Sequence, residues 1–123
     1  MKKRILGIIG GSGLYDIEGL QNVKWRQIKT NWGEASDRIL SATLNREQIY
    51  FIPRHGRGHR INPTKINFRA NIEALKKLGV TDIISVSAVG SLREHLLPGS
   101  FVVVDQFIDR TFAREKTFFD KEI

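Results

Sequence analysis

Gly7-Ile8-Ile9-Gly10-Gly11-Ser12-Gly13 follows the short apolar run Ile5-Leu6 near the start of the chain, and its reading sets the fold. Glycines entered from β-branched residues predict a buried strand that breaks into a tight turn, where backbone N–H groups approach a ligand unobstructed by Cβ atoms. Ser12 adds a hydroxyl, and a turned backbone of this kind forms the concave N–H nest that phosphates favour. The stretch therefore points to anion binding, with a ligand-free strand-end turn as the alternative. It is neither of the two common glycine signatures. The third glycine of the dinucleotide pattern G-x-G-x-x-G falls on Asp16, and no Gly-Lys pair exists to build a P-loop.

Working outward, Leu14-Tyr15-Asp16-Ile17 is expected to begin a short helical turn. Val23 to Thr30 and Arg38 to Leu44 are expected as strands, and Asn45-Arg46-Glu47 as a hairpin connection to a return strand over Gln48 to Ile52. Pro53 ends that strand and introduces Arg54-His55-Gly56-Arg57-Gly58-His59-Arg60, the densest positive segment of the chain. Two glycines deny it a helix, so a mobile or ligand-ordered loop is expected. Arg54, beside the strand end, presents a fork matched to phosphate oxygens, with His55 as a second donor. An RNA-binding segment, a zinc pair at His55 and His59, and a merely solvated loop are the competing readings of 54–60.

Asn62-Pro63-Thr64 supplies helix start signals, and Ile66, Phe68, Ile72, Leu75 and Leu78 follow at helical spacing before Gly79. The apolar run Asp82 to Ser87 then makes a strand, and strand, helix, strand in this order predicts a parallel crossover. Ser87-Ala88-Val89-Gly90-Ser91 lies at its carboxyl end, where open α/β sheets place ligands, although a small-residue turn is an equally simple reading. Phe101-Val102-Val103-Val104-Asp105 is expected as a further buried strand with polar Asp105 and Gln106 at its end.

A length of 123 residues fits one small domain, and 41% hydrophobic with 27% charged residues is the composition of a globular protein. No apolar run is long enough for a membrane span, and Met1-Lys2-Lys3-Arg4 leads into too short a run for a signal peptide, so a cytoplasmic location is expected. Cysteine is absent, which excludes disulfides and thiolate chemistry. A net charge of +7 attracts anions without naming one, and the 20 basic residues are spread along the chain.

Gly10-Gly11-Ser12-Gly13, Pro53-Arg54-His55-Gly56, Asn71, Ser87-Ala88-Val89-Gly90-Ser91-Leu92-Arg93-Glu94 and Asp105-Gln106-Phe107-Ile108-Asp109-Arg110-Thr111 occur in an order and spacing that resembles the amino-terminal half of the 5′-methylthioadenosine phosphorylases, a branch of the trimeric purine nucleoside phosphorylases. The resemblance implies that residues 1–123 are the amino-terminal part of a single α/β domain, a central mixed β-sheet flanked by helices. It implies phosphate-dependent cleavage of methylthioadenosine or a related purine nucleoside to free purine and a sugar 1-phosphate, in a homotrimer without metal or organic cofactor. Partners would be nucleoside and phosphate, with no nucleic acid and no membrane. Ser12, Arg54, His55, Ser87 and Ala88 would bind phosphate, and the acid for the leaving base is expected beyond Ile123. A nucleic-acid or nucleotide-binding module using 54–60 and an inactive truncated homologue are the alternative functions.

Overall fold

The computed structural model describes residues 3–11 and 13–119. Two compact units divide the chain, one through Ser87 and one from Ala88. The first contains strands β1 (Leu6–Gly10), β2 (Gln21–Arg26), β3 (Ile39–Leu44), β4 (Glu47–Pro53) and β5 (Asp82–Ser85) and one helix, α1 (Phe68–Lys77). The strands form a single mixed sheet in the order β2-β3-β4-β1-β5. β1 is parallel to both β4 and β5, whereas β3 is antiparallel to β2 and β4.

Period-two alternation explains why both faces of this sheet are filled. Ile39 and Ile52 face α1 and pack with Ala74 and Leu75, joined by Ile9, Tyr50 and Val80. Leu40, Ala42, Ile49 and Phe51 point to the other face, where Ile8, Leu14, Tyr15 and Trp25 cover them. β1 lies between parallel neighbours and is crowded from both sides. A Cβ on Gly7 would lie 2.8 Å from Val80 Cγ1, and one on Gly10 would lie 2.6 Å from Leu14 Cδ1. Two glycines of the opening stretch are thus packing residues within the strand, and Gly11 and Gly13 are left to the turn.

The β3–β4 hairpin turns on Asn45 and Arg46, with φ of 48° and 69°. Two central residues with positive φ give the turn twist that matches the strands, and asparagine tolerates that region best among non-glycine residues. The helical segment is shorter than the spacing implied. Asn62 caps a 3-10 turn over Pro63–Lys65, and Asn67 starts the true helix by accepting from Ala70 N. Phe68, placed on the apolar stripe by its spacing, is 41% exposed, while Ala70, Asn71, Ala74 and Leu75 form the buried face. The chain from β4 through α1 to β5 then crosses β1 and returns parallel, as expected.

At Leu14-Tyr15-Asp16-Ile17 the chain makes a turn over 13–15 and no helix. In the second unit, residues 101–105 form no strand, and Phe101 and Val103 are each 97% exposed. The expected strand fails for a physical reason. Valine-rich runs favour pleated structure only where a neighbouring strand and a face to pack on are present, and no strand pairs with this run among the described residues. The two rims of the sheet also differ. β2 carries Lys24 and Arg26, whereas β5 exposes Ile83 and Ile84 at 43% and 51%.

Candidate anion site at the ends of the parallel strands

The parallel register aligns Gly10 with Pro53 and Ile9 with Ser85, so β4, β1 and β5 deliver their carboxyl ends side by side. Pairing continues past the strands, with Arg54 N donating to Gly10 O at 3.0 Å and Val86 N to Ile9 O at 2.8 Å. Gly11, Arg54 and the Val86-Ser87 segment therefore meet at the rim where open α/β sheets bind ligands.

Arg54 is half-buried, and its guanidinium is aimed by two contacts. Nη1 donates to Val86 O at 2.7 Å, and Nε donates to His55 Nε2 at 3.2 Å. These contacts turn Nη2 toward the glycine loop, where it lies 3.8 Å from the position a Cβ on Gly11 would occupy. His55 is buried, and its Nδ1 lies 2.9 Å from Ile61 O. A carbonyl only accepts, so Nδ1 carries the proton and Nε2 is the lone pair that receives Arg54. Both ring nitrogens are engaged. The expected second side-chain donor is thus a group that orients Arg54 in this geometry.

His59 stacks on His55 with ring centroids 4.4 Å apart. Stacked rings do not converge on one ion, which removes the geometric basis of a zinc pair. Among the described residues no group of three or more His, Cys, Asp or Glu could hold a metal ion.

The basic loop is expected from its glycines to be mobile or ordered by a ligand; in the structure it is instead tied down by the protein itself. Asp37, whose side chain is 4% exposed, accepts from Arg57 N at 2.7 Å, Arg57 Nε at 3.2 Å and Arg57 Nη2 at 3.1 Å. Its carboxylate also accepts from Arg38 N at 2.7 Å and pairs with Arg60 Nη2 at 3.6 Å. Burial pushes the Asp37 carboxyl up, but the hydrogen bonds from Arg57 and Arg38 outweigh it and hold the group below the usual carboxylate range. Arg57 also lies over the Trp25 ring, 4.1 Å from its centroid.

Behind Asp37, Ser36 and Asn71 form a buried reciprocal pair. Ser36 N donates to Asn71 Oδ1 at 2.8 Å, and Asn71 Nδ2 donates to Ser36 Oγ at 2.9 Å. α1 thereby holds the segment that holds the loop. Sequence reading missed Asp37, because a carboxylate 20 residues from its arginine leaves no local pattern. The only local signal was a polar Ser36-Asp37 pair at the foot of an apolar strand.

The structure brings Arg54 and His55 together and places Ser87, exposed, directly after the carbonyl that holds Arg54. Ser12 lies outside the described residues, between Gly11 and Gly13. Ala88 is the exposed first residue of the second unit.

Residues 5–122 match the family model described as the Phosphorylase superfamily. The chain is 58% identical over 120 residues to an S-methyl-5′-thioadenosine phosphorylase of Rhodospirillum rubrum, a match covering 98% of this chain and 41% of the relative. It is 59% identical over 121 residues to a protein of the same name from Hyperthermus butylicus, covering 98% of this chain and 44% of that one. Among solved structures, methylthioadenosine phosphorylase from Schistosoma mansoni in complex with adenine superposes with a TM-score of 0.85 at 46% identity, covering 94% of this chain and 42% of that chain. The chain thus spans about two-fifths of the length of these relatives.

Proposed function

Because the chain belongs to the phosphorylase superfamily, we propose that it supplies the phosphate-binding part of an enzyme that cleaves 5′-methylthioadenosine with inorganic phosphate. The products are adenine and 5-methylthioribose 1-phosphate. The observation that carries the reading is the aimed guanidinium of Arg54, turned by Val86 O and His55 toward the glycine backbone at the sheet's carboxyl rim. Relatives named for this activity support the choice of nucleoside.

The chemistry suits such a site. As the N-glycosidic bond breaks, positive charge grows on the sugar and the electron pair leaves with the base, which takes up a proton. A phosphate oxygen then forms the new bond to the anomeric carbon. A phosphate dianion held at that carbon stabilises the charge and attacks it, so the protein's task is positioning and fixed electrostatics. In this reading Arg54 grips the dianion and Ser12 offers its hydroxyl. Ser87 and Ala88 complete the shell from the end of β5, and His55 keeps Arg54 in line. No metal or organic cofactor takes part, and the working assembly is a cytoplasmic homotrimer.

Adenine release from methylthioadenosine, measured with and without phosphate and against methylthioinosine, adenosine and inosine, tests the proposal. Release that requires phosphate and is fastest with methylthioadenosine is the expected result. Failure to bind phosphate, together with no phosphate-dependent release of base from any of the four, refutes it.

A further inference from the structure

We propose that Asp37 is a positioning residue of the anion site, acting through Arg57 and the 54–61 loop on Arg54. The inference rests on the reading that Arg54 binds phosphate. Asp37 belongs to the segment before β3, yet its buried carboxylate gathers the backbone and side chain of Arg57 and the side chain of Arg60. Two of the loop's three arginines are thereby engaged with a counter-charge. Arg54 is held by neutral acceptors, Val86 O and His55 Nε2, and so keeps its charge for a ligand.

The same carboxylate sets the path of the backbone. Arg57 N is fixed three residues after Arg54, just past the turn closed by Gly56 N on Pro53 O at 2.8 Å and within the turn closed by His59 N on Gly56 O at 3.1 Å. Ile61 N returns to His55 O at 2.9 Å, which closes the loop beneath the ring that orients Arg54. Gly56 permits this course. It has φ +69°, and a Cβ there would meet Arg60 Nε at 2.7 Å and the Ser36 carbonyl at 3.2 Å. Through Ser36 and Asn71, the anchor is referred to α1 and not to another loop.

Removing the carboxylate has two consequences of opposite sign. Losing a negative charge beside the site raises the local positive potential and favours anions. Losing the clamp frees the loop and spoils the aim of Arg54, which disfavours them. Positioning dominates here, because the one carboxylate holds the backbone N–H of Arg57 together with the side chains of Arg57 and Arg60.

Calorimetric titration of the chain with inorganic phosphate at fixed ionic strength, well below the unfolding temperature, tests the inference. Asp37→Asn is expected to weaken phosphate binding about tenfold, within the range of site-to-site couplings. Arg57→Gln, at the more exposed partner, is expected to do the same, and the double variant to be no weaker than either single one. Asp37→Glu, which keeps the charge, recovers part of the affinity. Glu73→Gln, which breaks the ion pair to Lys77 elsewhere on the fold, leaves phosphate binding unchanged and controls for general destabilisation. Phosphate binding by Asp37→Asn as tight as or tighter than wild type overturns the inference. Should Asp37→Asn not fold, unchanged binding by Arg57→Gln overturns it equally. Arg54→Ala separates the two layers: if it leaves phosphate binding intact, or if the unaltered chain binds none, the anion-site reading fails and takes the inference with it. If Arg54→Ala abolishes binding while Asp37→Asn does not weaken it, the inference alone falls.

Discussion

Replacing Arg54 with lysine keeps the charge and removes the fork, and the geometry says which of the two matters. The guanidinium divides its donors among three directions: Nε to His55 Nε2 at 3.2 Å, Nη1 to Val86 O at 2.7 Å, and Nη2 toward the glycine loop. A lysine ammonium places all its donors on one atom and cannot satisfy the Val86 carbonyl, the His55 lone pair and an anion together. A hydrogen bond to a charged group contributes about 1.5–3 kcal/mol. At ~1.4 kcal/mol per decade, losing one aimed bond to phosphate weakens binding about 10- to 150-fold. Arg54→Lys is therefore expected to fall close to Arg54→Ala in phosphate affinity, measured by calorimetry, with far-UV circular dichroism confirming that both variants are folded. A lysine variant that binds phosphate within about threefold of wild type would show that charge without direction suffices, and the aimed-fork argument would be refuted.

The Ser36–Asn71 pair predicts a larger structural effect. Asn71→Ala leaves a buried backbone donor and a buried hydroxyl without their partner, at about 1–3 kcal/mol for each group, so a fall in unfolding free energy of about 2–6 kcal/mol is expected in urea titration. A loss below about 0.5 kcal/mol, the range of ordinary surface substitutions, contradicts the reading. Acid stability follows from Asp37 and Glu73, whose carboxyls are both held below their ordinary values of 3.8 and 4.5. A depressed folded pKa contributes stability that is whole above the unfolded value and is lost as pH falls through the folded one. The melting temperature should therefore be flat from neutral pH down to about pH 5 and decline below it. The decline should be shallower in Asp37→Asn, and an identical acid limb in that variant would contradict the assignment.

Those features of the fold that rest on local chemistry were legible from the residues alone. β1 and its glycine turn, the β3–β4 hairpin at Asn45-Arg46 and the crossover helix each carry a short-range signature, a β-branched run, turn residues or caps with helical spacing. Legibility failed where structure depends on partners. The Phe101 to Asp105 run has strand-forming residues but no strand to pair with among those described, so propensity alone misled. The basic loop's glycines and arginines suggest a mobile or ligand-ordered segment because its restraints come from Asp37, Ser36 and Asn71, which are distant in sequence. Of the candidate site, the placement of Arg54 directly after the strand end at Pro53 was legible. The orienting role of His55 required the Ile61 carbonyl, which fixes the proton on Nδ1 and which no motif announces.

The unlike rims of the sheet decide how it can be extended. On the β2 side, Lys24 and Arg26 stand in the way of an incoming strand, since any newcomer must bury or displace charge. On the β5 side, Ile83 and Ile84 are exposed, and β5 is the last strand of the sheet order, paired with β1. An incoming strand would meet less charge beside β5, whose carboxyl end lies next to that of β1. Of the two edges of this sheet, the β5 edge is thus the one at which a second strand would meet apolar side chains rather than charge.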